Sequence, residues 1–106
     1  MGGFAFFRGP DINQGLKEFQ STANAVLLDV RTPQEYLEGH LPESRNVPLP
    51  SIRDTELVVS EKETPVFVYC HSGSRSRQAS IALAQMGYVN VKNIGGIASY
   101  TGKVVR

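Results

Sequence analysis

The feature that most constrains the fold is the stretch at residues 66–77, VFVYCHSGSRSR, which holds the only cysteine of the chain, Cys70. The apolar residues that follow Pro65 predict a short buried strand. Small and apolar residues then recur at three- and four-residue spacing up to Gly87, which predicts an amphipathic helix: Ala79, Ala82, Leu83 and Met86. A strand, a tight loop and a helix in succession direct several backbone N–H groups and the positive end of a helix dipole towards one point. In this chain that point is the Cys70 sulfur.

Length and charge narrow the class of protein. A chain of 106 residues fits a single domain, residues 1–106, with one core. The net charge of +1, from 11 basic and 10 acidic residues, gives no electrostatic footprint for nucleic acid or an acidic membrane surface. A lone cysteine forms no internal disulfide, and the apolar stretch at residues 4–7 is too short for a signal-peptide core or a membrane span. We therefore expect a cytoplasmic protein with no nucleic-acid or membrane partner; nothing in the sequence indicates its oligomeric state.

Short apolar segments alternate with helical patterns along the chain. The patterns predict an edge strand at residues 4–7, a helix at 12–20, strands at 25–30 and 88–94, a short pairing segment near Val47, and a short helix capped by Ser51. With the central strand and helix, this order is typical of right-handed βαβ units and one parallel sheet.

Two charged residues lie near the end of the strand at residues 25–30. Asp29 interrupts an apolar run of the kind found in parallel strands covered on both faces, and such strands carry sites at their carboxyl ends. Arg31 either pairs with Asp29 or points into the site. The following Thr32 and Glu35 have the spacing of a capping box, which predicts a short helix ended by Gly39.

The loop after Cys70 favours a reactive thiolate over an inert core residue. Ser72, Gly73 and Ser74 are poor strand formers, and a helix begins directly afterwards. A helix N-terminus and nearby cations lower a cysteine pKa from about 8.5 to roughly 3.5–7.5. Arg75 is a candidate both for this effect and for orienting an anionic substrate, and a solvated role for it stays open.

Other cysteine and histidine chemistry has little support. The chain has no second cysteine for a thioredoxin-type CxxC reaction. Cys70, His71 and His40 lack a recognisable zinc spacing, so no metal or other cofactor is predicted. His71 is expected at the rim of the site, because the side chains of sequence neighbours diverge.

The loop resembles the active-site loop of rhodanese-family sulfurtransferases, which has cysteine, two variable residues, glycine, a variable residue and a basic or hydroxyl residue. Other segments resemble further signatures of the family in the family's order: residues 28–36, residues 39–42 with 46–49, and residues 93–96. The resemblance implies an α/β fold, the rhodanese-like three-layer sandwich, with a central parallel sheet of about five strands flanked by helices.

The resemblance also implies a function. It implies a sulfurtransferase that moves a sulfane sulfur from thiosulfate or another persulfide donor to a thiol or cyanide, with Cys70 as nucleophile and persulfide carrier. Asp29 and Arg31 would brace the loop, and His40 would make structural hydrogen bonds. The partners would be a small sulfur-containing anion and an external thiol or protein acceptor. The substrate-binding residues would be those whose backbone N–H groups surround the sulfur: His71, Ser72, Gly73, Ser74, Arg75 and Ser76.

Two alternatives stay open. One is a persulfide carrier or regulatory binding module with little turnover. The other is a cysteine-dependent phosphatase or arsenate reductase, whose related fold uses an arginine six positions after the cysteine. Ser76 occupies that position here, and a loop one residue shorter leaves less room for a tetrahedral oxyanion. Glu43, Ser44, Arg45 and Tyr100 also depart from the usual family pattern, which leaves partner choice open.

Overall fold

The computed structural model describes residues 9–106, so the strand expected at residues 4–7 lies outside the described part. The helices and strands follow in the order α1 (Ile12–Gln20), β1 (Val26–Asp29), α2 (Pro33–Glu38), β2 (Arg45–Asn46), α3 (Thr55–Val58), β3 (Val66–Cys70), α4 (Ser74–Gln85) and β4 (Val91–Gly96). Two 3-10 helices, Leu49–Asp54 and Ile97–Ser99, complete the order. This alternation confirms the α/β class. Over residues 9–106, no helix has both the length and the apolar character needed to cross a bilayer.

The strands form one parallel sheet in the order β2-β1-β3-β4. Within the described residues the sheet has four strands, one fewer than the five or so expected. Because β3 lies between β1 and β4, its carboxyl end has a neighbouring strand on each side. Asp29 is in register with Tyr69, and Gly96 is in register with Cys70. The cysteine loop therefore leaves the sheet where the ends of both neighbouring strands can contact it.

Alternating side chains along β3 contribute to two apolar clusters, one on each face of the sheet. Val66, Val68 and Cys70 pack on the face covered by α4 and the first 3-10 helix. Phe67 and Tyr69 pack on the opposite face, which α1 covers. The result is the three-layer arrangement that the family resemblance implied, with Cys70 on the α4 side.

Side-chain caps stabilise the starts of α1 and α2. Asp11 caps α1 by accepting a hydrogen bond from the Asn13 N–H at 3.0 Å. Thr32 Oγ1 accepts from the Glu35 N–H at 3.1 Å, and Glu35 Oε1 accepts from the Thr32 N–H at 3.0 Å, which completes the capping box of α2. The capping box of α2 is the one that the sequence predicted, because its two residues lie only three positions apart.

The predicted cap at Ser51 is wrong. The 3-10 helix begins earlier, at Leu49, and Ser51 lies inside it with non-helical backbone angles. The Leu49 N–H donates to the carbonyl of Val30, the residue after β1, at 3.0 Å, so the first residue of this helix is held by a contact distant in sequence. A contact with a distant strand therefore overrides the local capping preference of serine.

Candidate active site

Cys70 ends β3 and is fully buried. Its Sγ accepts a hydrogen bond from the Gly73 N–H at 3.0 Å. Gly73 has a φ of 105°, in the left-handed region that glycine adopts at little cost, and α4 starts at the next residue. The turn therefore brings the sulfur to the N-terminal end of α4, as the sequence predicted.

Burial and hydrogen bonding act in opposite directions on the Cys70 thiol. Burial raises its pKa, but hydrogen bonds from the Ser76 side chain and from the backbone N–H groups of Ser76, Gly73 and Ser72 lower it. The net pKa lies below the ordinary value. These donors stabilise negative charge on the sulfur, which favours the nucleophilic thiolate.

Ser76 and Asn93 connect the loop to β4. The Ser76 side chain is buried, and its hydroxyl oxygen lies 2.7 Å from Asn93 Oδ1 and 3.0 Å from the Gly73 carbonyl oxygen. Asn93 Nδ2 lies 3.5 Å from the same carbonyl oxygen, and Asn93 Oδ1 accepts from the Gly95 N–H at 3.0 Å. Asn93 was not among the predicted site residues, although the signature at residues 93–96 contains it.

Gly96 permits a close backbone contact between β4 and the loop. A Cβ atom on Gly96 would lie 2.2 Å from the His71 carbonyl oxygen and 2.6 Å from the Ser72 Cα. The Ala98 N–H donates to that same carbonyl oxygen at 3.0 Å. In the sequence, only the glycine pair at positions 95 and 96 indicates this contact between β4 and the loop. The sequence of the loop itself does not predict it.

Arg75 is paired with an acidic residue from another helix. Its Nη1 and Nη2 atoms donate to the two Glu35 carboxylate oxygens at 2.8 and 3.1 Å. The hydrogen bond from Arg75 is the largest cause of the lowered pKa of Glu35, about 2. The Arg75 charge also interacts with Cys70, but its bidentate contact joins α4 to α2.

Asp29 and Arg31 form a buried ion pair, one of the two arrangements considered from the sequence. Arg31 Nη2 lies 2.6 Å from Asp29 Oδ2 and also donates to the Gly39 carbonyl at 2.7 Å. Asn46 Nδ2 donates to the carbonyls of Asp29 and Arg31 at 2.9 and 3.0 Å. The pair thus joins the carboxyl end of β1 to β2 and to the end of α2, beside the strand that carries Cys70.

The two histidines have different surroundings. The His40 ring stacks on Tyr36 with centroids 3.8 Å apart, and its Nδ1 lies 2.9 Å from the Tyr36 carbonyl oxygen, in line with the predicted structural role. His71 is exposed, as are Ser72 and Ser74. Within residues 9–106, no three His, Cys, Asp or Glu side chains are grouped so that they could hold a metal ion.

Ser44, one of the residues that depart from the usual family pattern, hydrogen-bonds to the buried Tyr69. The Ser44 hydroxyl accepts from Tyr69 Oη at 3.1 Å and donates to the Leu41 carbonyl at 2.8 Å. Tyr69 Oη in turn accepts from the Leu41 N–H at 3.0 Å. Ser44 therefore satisfies the hydroxyl of a buried tyrosine next to Cys70 in the sequence.

A cleft of about 510 Å³ lies beside the loop. Ser72 and Gly73 of the loop and the exposed Arg77 of α4 line this cleft. The other lining residues are Gly9, Pro10 and Asn93. The cleft offers space for a small molecule next to the residues that surround the sulfur.

Comparison with known proteins agrees with this geometry. The sequence model of the rhodanese-like domain family matches residues 13–103. Thiosulfate sulfurtransferase PspE of Escherichia coli (strain K12) is 38% identical over 71 residues, which cover 66% of this chain and 68% of that protein. A protein named sulfurtransferase from Allochromatium vinosum is 40% identical over 82 residues, 74% of each chain.

A solved structure gives the same result for the fold. The structure described as rhodanese with anions from E. coli superposes with a TM-score of 0.72 at 34% identity, covering 77% of this chain and 98% of that one. The region matched by the family model, residues 13–103, contains the cysteine loop and the strand ends on both sides of it. The family match over most of the chain, together with the shared fold, makes this protein a member of the rhodanese-like domain family.

Proposed function

We propose that this protein is a sulfurtransferase in which Cys70 takes a sulfane sulfur from a small anionic donor and passes it to an external thiol or cyanide. The observation that carries the proposal is the hydrogen bond that Cys70 Sγ accepts from the Gly73 N–H at 3.0 Å, at the N-terminal end of α4. Hydrogen bonding from Ser76 and from the Ser72 N–H also lowers the pKa of Cys70. Family membership and the sulfurtransferases among the relatives support the reaction class.

With thiosulfate as donor, the reaction has two displacements at sulfur. The Cys70 thiolate attacks the sulfane sulfur, the sulfur–sulfur bond of thiosulfate breaks, and sulfite leaves with the electron pair. An acceptor thiolate or cyanide then attacks the outer sulfur of the persulfide, and the Cys70 thiolate leaves. Each step moves negative charge close to the loop, where preorganised N–H donors stabilise it.

The remaining predicted residues have supporting roles in this proposal. The backbone N–H groups of His71, Ser74 and Arg75 complete the ring of donors around the transferred sulfur. Glu35 neutralises much of the Arg75 charge. The loop N–H groups and the N-terminal end of α4 therefore attract the donor anion more than Arg75 does. The Asp29–Arg31 pair supports the strand end from which the loop is displayed.

Thiocyanate formation from thiosulfate and cyanide tests the activity. We expect turnover by the wild-type protein and only background with Cys70→Ser, which replaces the nucleophile by a close isostere. A matched assay with p-nitrophenyl phosphate and with arsenate should give no Cys70-dependent turnover. Phosphatase or arsenate reductase activity that disappears in Cys70→Ser would overturn the proposal, and persulfide formation without thiocyanate turnover would favour the carrier alternative.

A further inference from the structure

Arg77 lies one turn into α4, on the same side of the helix as the glycine of the cysteine loop. The Arg77 N–H donates to the Gly73 carbonyl at 3.1 Å, so the two residues are neighbours along one face. Side chains of a helix lean towards its N-terminal end. A side chain at position 77 therefore extends back towards Gly73, and both residues line the cleft of about 510 Å³ beside the loop.

This cleft lies next to the cysteine sulfur. Gly73 belongs to its wall, and the Gly73 N–H donates to Cys70 Sγ at 3.0 Å. Ser72 and Asn93 add a hydroxyl and a side-chain amide to the lining. Among the described residues that line the cleft, none is acidic and Arg77 alone carries a charge. The lining therefore favours a small anion that can hydrogen-bond.

The two arginines in the first turns of α4 differ in what they contact. Arg75 donates to both carboxylate oxygens of Glu35, at 2.8 and 3.1 Å. Arg77 lies two positions further on, on a different face of the helix, and it is exposed. In the described part of the chain, Arg77 has no ion-pair partner. Its guanidinium is therefore available to an anion in the cleft, whereas that of Arg75 is already paired.

We propose that Arg77 is the specificity-determining residue for the anionic sulfur donor, and that it binds the sulfonate oxygens of thiosulfate in the cleft while the sulfane sulfur reaches Cys70. The inference rests on the proposed sulfurtransferase function and adds a residue to it. A planar guanidinium suits a group with several anionic oxygens. Because sulfite keeps those oxygens and leaves with the electron pair, the contact persists through the displacement.

The first test compares the alkylation of the single cysteine by two reagents of similar size. Iodoacetate is an anion and iodoacetamide is neutral, and each loses iodide when the thiolate attacks it. The ratio of their rate constants therefore cancels any effect of a substitution on the Cys70 pKa. In Arg77→Gln, the ratio of iodoacetate to iodoacetamide should fall about three- to fivefold at low ionic strength, as for one solvated charge pair. Added salt should reduce the difference between the two proteins.

Two further variants serve as controls for this ratio. Arg77→Lys keeps the positive charge, so it should retain most of the wild-type ratio. Arg53→Gln removes the same charge from another exposed arginine, which lines a different cleft together with Gln85 and Met86 at the opposite end of α4. This variant should leave the ratio unchanged.

The second test measures thiocyanate formation with thiosulfate as the varied substrate and cyanide at saturation. For Arg77→Gln, kcat/KM for thiosulfate should fall by about the same factor as the alkylation ratio. The loss should appear mainly as a higher KM, because the contact with the sulfonate oxygens is made both before and during the displacement. Arg53→Gln should match the wild type.

Several results would overturn the proposal. One is an alkylation ratio that stays unchanged in Arg77→Gln, including the case in which both rates fall equally, as a purely structural role for Arg77 predicts. Others are an equal fall of the ratio in Arg53→Gln and an unchanged kcat/KM for thiosulfate in Arg77→Gln. Alkylation needs no sulfur transfer. A wild-type protein that forms no thiocyanate would therefore contradict only the proposed function, and the alkylation ratio would still decide whether Arg77 attracts anions to the site.

Discussion

At the scale of single residues, Cys70 combines full burial with a lowered pKa. Burial alone would favour the neutral thiol, so the surrounding donors must more than offset the loss of water. Hydrogen bonding from the loop therefore favours the thiolate.

Gly96 is the residue on which the loop contact depends most directly. Gly96→Ala would place a Cβ atom 2.2 Å from the His71 carbonyl oxygen, and a backbone atom can yield only if the loop shifts. We expect a loss of about 1–3 kcal/mol in the free energy of unfolding, typical of overpacking, measured by denaturant titration. Gly9→Ala is the control, since apart from its neighbours in the chain no atom of the described residues lies within 4 Å of its Cβ position. Equal stability of the two variants would contradict the close contact.

At the scale of elements, the site is assembled by contacts between helices and strands that are distant in sequence. Arg75 near the start of α4 binds Glu35 of α2, which also belongs to the capping box of that helix. Asn93 of β4 binds Ser76 of α4. The residues that follow Cys70 are thus connected to α2 through Arg75 and to β4 through Ser76.

The Glu35–Arg75 pair should contribute pH-dependent stability. The pKa of Glu35 falls from its ordinary value of 4.5 to about 2 in the folded protein, so its contribution is complete above about pH 4.5 and is lost as the pH falls towards 2. Because both side chains are about one-third exposed, we expect Glu35→Gln to lose only about 0.5–1 kcal/mol at neutral pH. Glutamine retains an oxygen for the capping box.

Denaturant titrations at neutral pH and at about pH 3 check this expectation. At about pH 3 the Glu35 carboxylate is ionised in the folded protein but mostly protonated in the unfolded chain. The difference between wild type and Glu35→Gln should shrink as the pH falls. Glu56→Gln, which removes a more exposed pair with Lys62, should have a smaller effect at neutral pH. A Glu35→Gln effect that is constant or larger in acid would argue against a stabilising ion pair.

The elements also illustrate what sequence reasoning captures and what it misses. The Thr32–Glu35 capping box and the Gly73 turn are local signals, and each folds as predicted. The 3-10 helix starts at Leu49, whose N–H contacts the carbonyl of Val30 after β1, and no local spacing predicts this contact. In the same way, Arg75 was recognised as a functional candidate but its partner lies 40 residues away.

At the scale of the whole molecule, the parallel sheet is covered on both faces by apolar clusters that share β1 and β3. The α/β class and the strand alternation followed from the sequence because apolar runs and glycine or proline boundaries mark each element. The position of Asn93 beside Ser76 could not be predicted from the sequence, because the two residues lie 17 positions apart and meet only through the packing of α4 against β4.

We propose that residues 1–106 form a single domain, because the two clusters lie on opposite faces of the same strands. Thermal unfolding followed by far-ultraviolet circular dichroism and by near-ultraviolet tyrosine signals should then give coincident, single transitions. Tyr69 and Tyr88 belong to different clusters, so the tyrosine signal samples both faces. Separate transitions for the two signals would contradict a single cooperative unit.

The central claim is that Cys70 accepts and releases a sulfane sulfur, and intact-mass spectrometry tests it most directly. After incubation with thiosulfate or polysulfide, the wild-type protein should gain about 32 Da, the mass of one sulfur atom bound as a persulfide. Cyanide should remove this mass, and Cys70→Ala should never acquire it. A folded wild-type protein whose mass stays unchanged with both donors would contradict the account.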